Sequence, residues 1–116
     1  MTNNSARTLW RLQRTSAHVL VLFVFVHLGL MIYAVQNGLT ASEILNRTQG
    51  HIGWFLFYLG FVVLTSVHAP IGIRNILREQ VRLNAKLIDA VTWVYAGLIV
   101  VLGTRACWAV FSGGAI

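Results

Sequence analysis

Within Val67-His68-Ala69-Pro70-Ile71-Gly72-Ile73-Arg74, an ionisable imidazole sits inside an otherwise apolar run. Ionisable groups in such a run are costly and are kept where something uses them. Gly72 follows one helical turn later on the same face and removes side-chain bulk there. At a rise of about 1.5 Å per residue, His68 lies about 9 Å inside Arg74. Pro70 has no N–H for the Ser66 carbonyl, which predicts a bend beside the histidine. Two chemistries fit these residues. A neutral imidazole could be the axial ligand of a haem iron, with the macrocycle flat against the glycine and Arg74 pairing with its propionates. The same imidazole could instead be hydrogen-bonded across a helix interface, with the glycine serving packing.

The elements that hold these residues follow from the charge pattern. The 116 residues suit one domain, 1–116, and are 57% hydrophobic with only 10% charged, far from soluble averages. No charge occurs between Arg14 and Glu43, between Arg47 and Arg74, or between Asp89 and Arg105. Each gap holds an apolar run near the roughly 20 residues that cross about 30 Å of hydrocarbon. The expected fold is an all-α integral membrane protein with three transmembrane helices, approximately 16–36, 52–74 and 89–111. The first run exceeds the about 7–15 apolar residues of a signal peptide, and no small-x-small site closes it. It is therefore expected to be a span and not a cleaved leader.

Lysine and arginine counts set the orientation. Arg7, Arg11, Arg14, Arg74, Arg78, Arg82 and Lys86 fall on one side, against Arg47 and Arg105 on the other. Seven against two places the N-terminus and the second loop in the cytoplasm. The net charge of +6 is thus a topology signal, and no segment outside the spans is large enough to bind nucleic acid. Cys107 is the only cysteine, which excludes an internal disulfide and a thiolate metal site. Thr40-Ala41-Ser42-Glu43 predicts a short capped helix between the first two spans. The second span is expected to continue past the membrane and turn near Asn84. Trp10, Trp54, Tyr58, Trp93 and Trp108 lie toward span ends, where interfacial belts form. Gly29, Gly53, Gly60, Gly72, Gly97 and Gly103 offer points of close helix approach.

Two motifs now carry a resemblance. His68, Gly72, Ile73 and Arg74, with an acidic residue at Glu79, resemble the second helix of the succinate dehydrogenase cytochrome b subunit. This family comprises membrane anchors of succinate:quinone oxidoreductases and fumarate reductases. Gln13-Arg14-Thr15-Ser16-Ala17 resembles its His-Arg-x-Ser-Gly signature at the start of the first helix, with Gln13 in place of the histidine and Ala17 in place of the glycine. Trp10 stands where some relatives have a quinone-site serine. The resemblance covers roughly residues 10–110. It implies that His68 is an axial ligand of haem b iron, that Arg74 contacts a propionate, and that Arg14 lies at a quinone pocket with Ser16 as a nearby polar contact. It further implies a second small anchor subunit, an iron–sulfur subunit and a flavoprotein subunit as partners, in a bacterial cytoplasmic (inner) membrane.

The remaining histidines divide by depth. His27 lies about 18 Å into the first span from Thr15, too deep to share an upright haem with His68. It is a candidate ligand of a second haem, or a partner in an interhelical hydrogen bond. His18 is on the face opposite His27 and near Arg14, a candidate for quinone, propionate or axial contact, or for interfacial solvation. His51 opens the second span and is expected to be solvated.

Three function classes compete: an electron-transfer anchor, a haem-free structural anchor of a fumarate reductase-type complex, and a small transporter. A transporter of this size would need a proton-coupling or cation-binding carboxylate in its membrane core, whereas Glu43, Glu79 and Asp89 all lie at span ends or in loops.

Overall fold

The computed structural model describes residues 3–113. Its elements are α1 (Asn3–Asn37), α2 (Ala41–Thr48), α3 (Ile52–Gln80) and α4 (Ala85–Ser112). The three long helices are each apolar and long enough to cross a membrane, as the charge-free gaps require. The all-α expectation is met among the described residues.

The helices begin and end where local chemistry says they should, with one extension. α1 starts at Asn3 and not at the membrane edge near residue 16. Arg7, Arg11, Leu12 and Gln13 are good helix formers, and no glycine or proline interrupts the approach. α2 carries a full capping box. The Thr40 hydroxyl accepts from the Glu43 amide at 3.3 Å, and the Thr40 amide donates to Glu43 Oε2 at 3.1 Å. α3 runs through Pro70 and ends at Gln80, and Asn84 caps α4 by accepting from the Lys86 amide at 2.7 Å.

α3 is the central helix, with α4 along one side and α1 along another. Leu9, Gln13, Ser16, Leu20, Phe23, His27, Leu30 and Ala34 are each buried or half-buried. Their alternating spacing of four and three is the seam of a helix pair crossing at a shallow angle. Mid-seam, Phe23 stacks on Phe57 with centroids 4.9 Å apart and meets Phe61 edge-on at 5.9 Å. Such ring pairs contribute about 0.5–1.5 kcal/mol beyond area burial. On the α4 side, a Cβ built on Gly103 would come within 2.7 Å of both Val62 methyls. That glycine is what lets the two backbones approach. A Cβ at Gly29, Gly53 or Gly97 would meet nothing within 4 Å, so those three do not mark helix contacts within this chain.

At the end carrying α2, the Thr48 hydroxyl donates to the Val110 carbonyl at 2.9 Å, and the Gly50 amide donates to the Phe111 carbonyl at 3.0 Å. These two bonds tie the connection between α1 and α3 to the end of α4. The opposite end gathers the N-terminus of α1, the end of α3 and the start of α4, and with them most of the positive charge.

Candidate site at the seam of α1 and α3

His68 is half-buried on the face of α3 that meets α1. Its Nδ1 lies 3.3 Å from the Gln13 carbonyl oxygen and 3.3 Å from Ser16 Oγ. Ser16 is itself only 5% exposed, and its hydroxyl donates to the Leu12 carbonyl at 2.5 Å. The second ring nitrogen, Nε2, bonds no described residue. One nitrogen is therefore committed to α1, and the other keeps its valence open. The histidine is hydrogen-bonded across the α1–α3 interface through Nδ1, and Nε2 is on the far side of the ring.

Gly72 does not face an open cradle within this chain. A Cβ there would meet Gln13 Nε2 at 3.2 Å, so the missing side chain makes room for α1. Gln13 Oε1 is buried and has no hydrogen-bond partner among the described residues.

The other sequence candidates separate into distinct places. Arg74 is about 120° around α3 from His68. Its Nε lies 3.6 Å from Asp89 Oδ1 on α4, with the arginine side chain 14% and the aspartate 60% exposed. Both line a cavity of about 720 Å³ between the start of α1, α3 and α4, with Arg78, Trp93 and Ser66 also on its wall. Asp89 is thus an interhelical ion-pair partner, five residues past the Asn84 cap. Arg14 is exposed and lies over the Trp10 ring at 5.1 Å. It is about 200° from Ser16 around α1. The structure therefore does not bring Arg14 and Ser16 into one pocket: Ser16 is shut in the seam and Arg14 faces away from it. His18 is exposed on Arg14's side, one turn further along, and does not meet His68.

His27 lies in the seam toward the α2 end. It is edge-on to Tyr58 at 6.1 Å and to Phe61 at 5.6 Å between ring centroids. Two cavities flank it, of about 500 and 410 Å³, both also lined by Tyr58 and Thr48. Trp54 and Tyr58 are half-buried in this aromatic group, whereas Trp10, Trp93 and Trp108 are exposed. Trp54 and Tyr58 thus also make ring contacts inside the chain, Trp54 with Phe57 and Tyr58 of its own helix and Tyr58 with His27 of α1. His51 is exposed just before α3. Among the described residues, no three His, Cys, Asp or Glu side chains gather around a common point. Any iron at His68 would have to arrive with most of its ligands already in place.

The model of the succinate dehydrogenase/fumarate reductase transmembrane subunit family matches residues 1–110. The chain belongs to that family. No curated protein and no solved structure matches it. Membership makes the chain one membrane subunit of a succinate dehydrogenase/fumarate reductase complex, and the three apolar helices are the spans that such a subunit needs.

Sequence reasoning missed the part played by Gln13 and by the Leu12 and Gln13 carbonyls. Gln13 was visible only as a departure from the family signature. The signal that could have found it is the three-residue step to Ser16 and the fourteen-residue step to His27, which put three polar groups on one face of an apolar helix.

Proposed function

We propose that the chain is the haem b-binding membrane anchor of a succinate:quinone oxidoreductase, with His68 as an axial ligand. The observation that carries this reading is the asymmetry of the imidazole: Nδ1 is held by α1, and Nε2 has no bonded partner among the described residues. Metal-bound histidines ordinarily have their other ring nitrogen donating to a carbonyl or similar acceptor, which orients the ring. A b-type haem bound there supplies one-electron transfer between an iron–sulfur subunit and quinone.

The chain's own residues do the rest. His68 presents a neutral nitrogen at a fixed angle. Arg74, held beside Asp89 about 9 Å nearer the basic end, offers a guanidinium for a propionate. Arg14, exposed over Trp10 on the other face of α1, offers positive charge toward quinone and can stabilise negative charge developing on it. A second small anchor subunit would supply the other axial ligand. The basic end would face the cytoplasm of a bacterial inner membrane and dock the iron–sulfur and flavoprotein subunits there.

The test is a reduced-minus-oxidised optical spectrum of the purified complex. The expected result is a b-type band that is lost in His68→Ala. A band that survives that substitution rejects the assignment, and the absence of a band in the wild type favours a haem-free structural anchor. Haem counting decides His27. Two haems per complex, one lost in His27→Ala, make it a second ligand; a single haem leaves it as aromatic packing beside Tyr58.

A further inference from the structure

We infer that Ser16 is a positioning residue for His68: together with the Gln13 carbonyl it holds the imidazole with its proton on Nδ1. The inference rests on the haem reading for what Nε2 then holds. Ser16 has one hydroxyl proton and two lone pairs. That proton is committed to the carbonyls of α1, at 2.5 Å from Leu12 O and 3.1 Å from Gln13 O. The face Ser16 turns to His68 is therefore a lone pair. The Gln13 carbonyl has no proton to give. Both neighbours of Nδ1, each at 3.3 Å, are acceptors. A bare Nδ1 lone pair would oppose two others, whereas an Nδ1–H donates to both. The neutral ring then has its free electron pair on Nε2, the nitrogen turned away from α1.

Position and burial support the assignment. Ser16 and Gln13 are neighbours on the α1 seam, and Gly72 lets the backbone of α1 come close, since a Cβ there would press on the Gln13 amide at 3.2 Å. Ser16 is 5% exposed, too enclosed to reach a molecule diffusing in the bilayer. An imidazole whose Nδ1–H is engaged is a more basic donor through Nε2. More electron donation favours ferric over ferrous iron, so the hydroxyl lowers the potential of whatever iron His68 ligates.

The test is a redox titration of the b-type band in the complex purified with wild-type, Ser16→Ala and Ser16→Thr anchors, with His68→Ala as reference. The expected result is a band retained in Ser16→Ala with its midpoint shifted to more positive potential, and a midpoint restored toward wild type in Ser16→Thr, which keeps the hydroxyl. Loss of the band in Ser16→Ala with recovery in Ser16→Thr also supports the role. A band unmoved in potential in Ser16→Ala, while His68→Ala abolishes it, overturns this inference and leaves the haem reading standing. A band present in His68→Ala overturns the haem reading itself. A raised quinone KM at unchanged midpoint in Ser16→Ala would return the residue to the quinone site and overturn the positioning role.

Discussion

An imidazole has two unlike nitrogens, and the surroundings of His68 treat them differently. The nitrogen on the α1 side meets only acceptors, while the other meets no described partner. Interhelical hydrogen bonds in membranes are worth only about 1 kcal/mol, so the Ser16–His68–Gln13 group is a weak stabiliser. Its effect is to fix a ring and a tautomer. A second residue-scale device lies outside the spans. The Glu43 carboxyl is held below its ordinary value of 4.5, first by the Thr40 hydroxyl and then by the Thr40 amide; desolvation opposes them in part, and Arg47 adds the smallest contribution. A depressed folded value means that the stabilisation is complete above the ordinary value and is lost as the pH falls through the lowered one. Protection of the amides at the start of α2, taken as the exchange rate relative to the intrinsic rate at each pH, should therefore fall only in acid, and Glu43→Gln should flatten that dependence. Thr40→Ala removes the cap at any pH and should cost about 1 kcal/mol of local stability. Of these two devices, the cap was legible in the sequence because its partners are three residues apart. Ser16 was not, because its partner is 52 residues away. From the sequence, Ser16 fell naturally beside Arg14 in the signature, although a helix sends the two to opposite faces.

At the scale of the element, α3 carries both interfaces, and its two long neighbours use different means to approach it. α1 relies on interlocking rings and the polar group at His68; α4 relies on the absence of a side chain at Gly103. In a lipid surround, apolar area gives little preference for helix over lipid, so close approach and fit must hold α3 to α4. Gly103→Ala places a methyl against the two stiff Val62 methyls, each 2.7 Å from the Cβ position. The expected destabilisation is about 1–3 kcal/mol, read as a lowered thermal midpoint in detergent, and Val62→Ala in the same chain should recover most of it. By contrast, Asp89→Asn should cost at most about 1 kcal/mol, because the carboxylate is 60% exposed and solvent screens the pair. The extents of the helices were legible where composition changes abruptly, as at Asn37-Gly38 and around Asn84. The early start of α1 was not, because the charge pattern marks where a span enters the membrane, while a helix can continue well beyond it. The seam was also hidden. Apolar residues cover α1 on every side, so hydropathy has no contrast from which to read a buried face, and only the scattered polar residues mark it.

At the scale of the whole molecule, the described part of the chain buries very little. Leu20, Pro70, Ile71, Ile88 and Cys107 are its only buried apolar side chains among the described residues, while Phe25, Val35, Trp93 and Val94 are all more than 60% exposed. A helix apolar all round belongs in lipid or against other spans, which agrees with a subunit of a larger membrane complex. The spans were legible because each is bounded by charge; the partners were not, because the faces they would cover have the same composition as faces meeting lipid. Orientation can be tested without knowing the partners. The start of α1 and the turn between α3 and α4 share one end, and α2 lies at the other. Asn4, Gln80 and Ala41 are exposed at those ends, and the single native thiol, Cys107, is 4% exposed and gives a quiet background. With the seven basic residues at the first end held inside, Asn4→Cys and Gln80→Cys should react with a membrane-impermeant maleimide only in inverted vesicles, and Ala41→Cys only in right-side-out ones. The same reagent pattern with the vesicle types exchanged would put the basic end outside. The proposed docking of the iron–sulfur and flavoprotein subunits on the cytoplasmic face would then fail, whatever His68 binds.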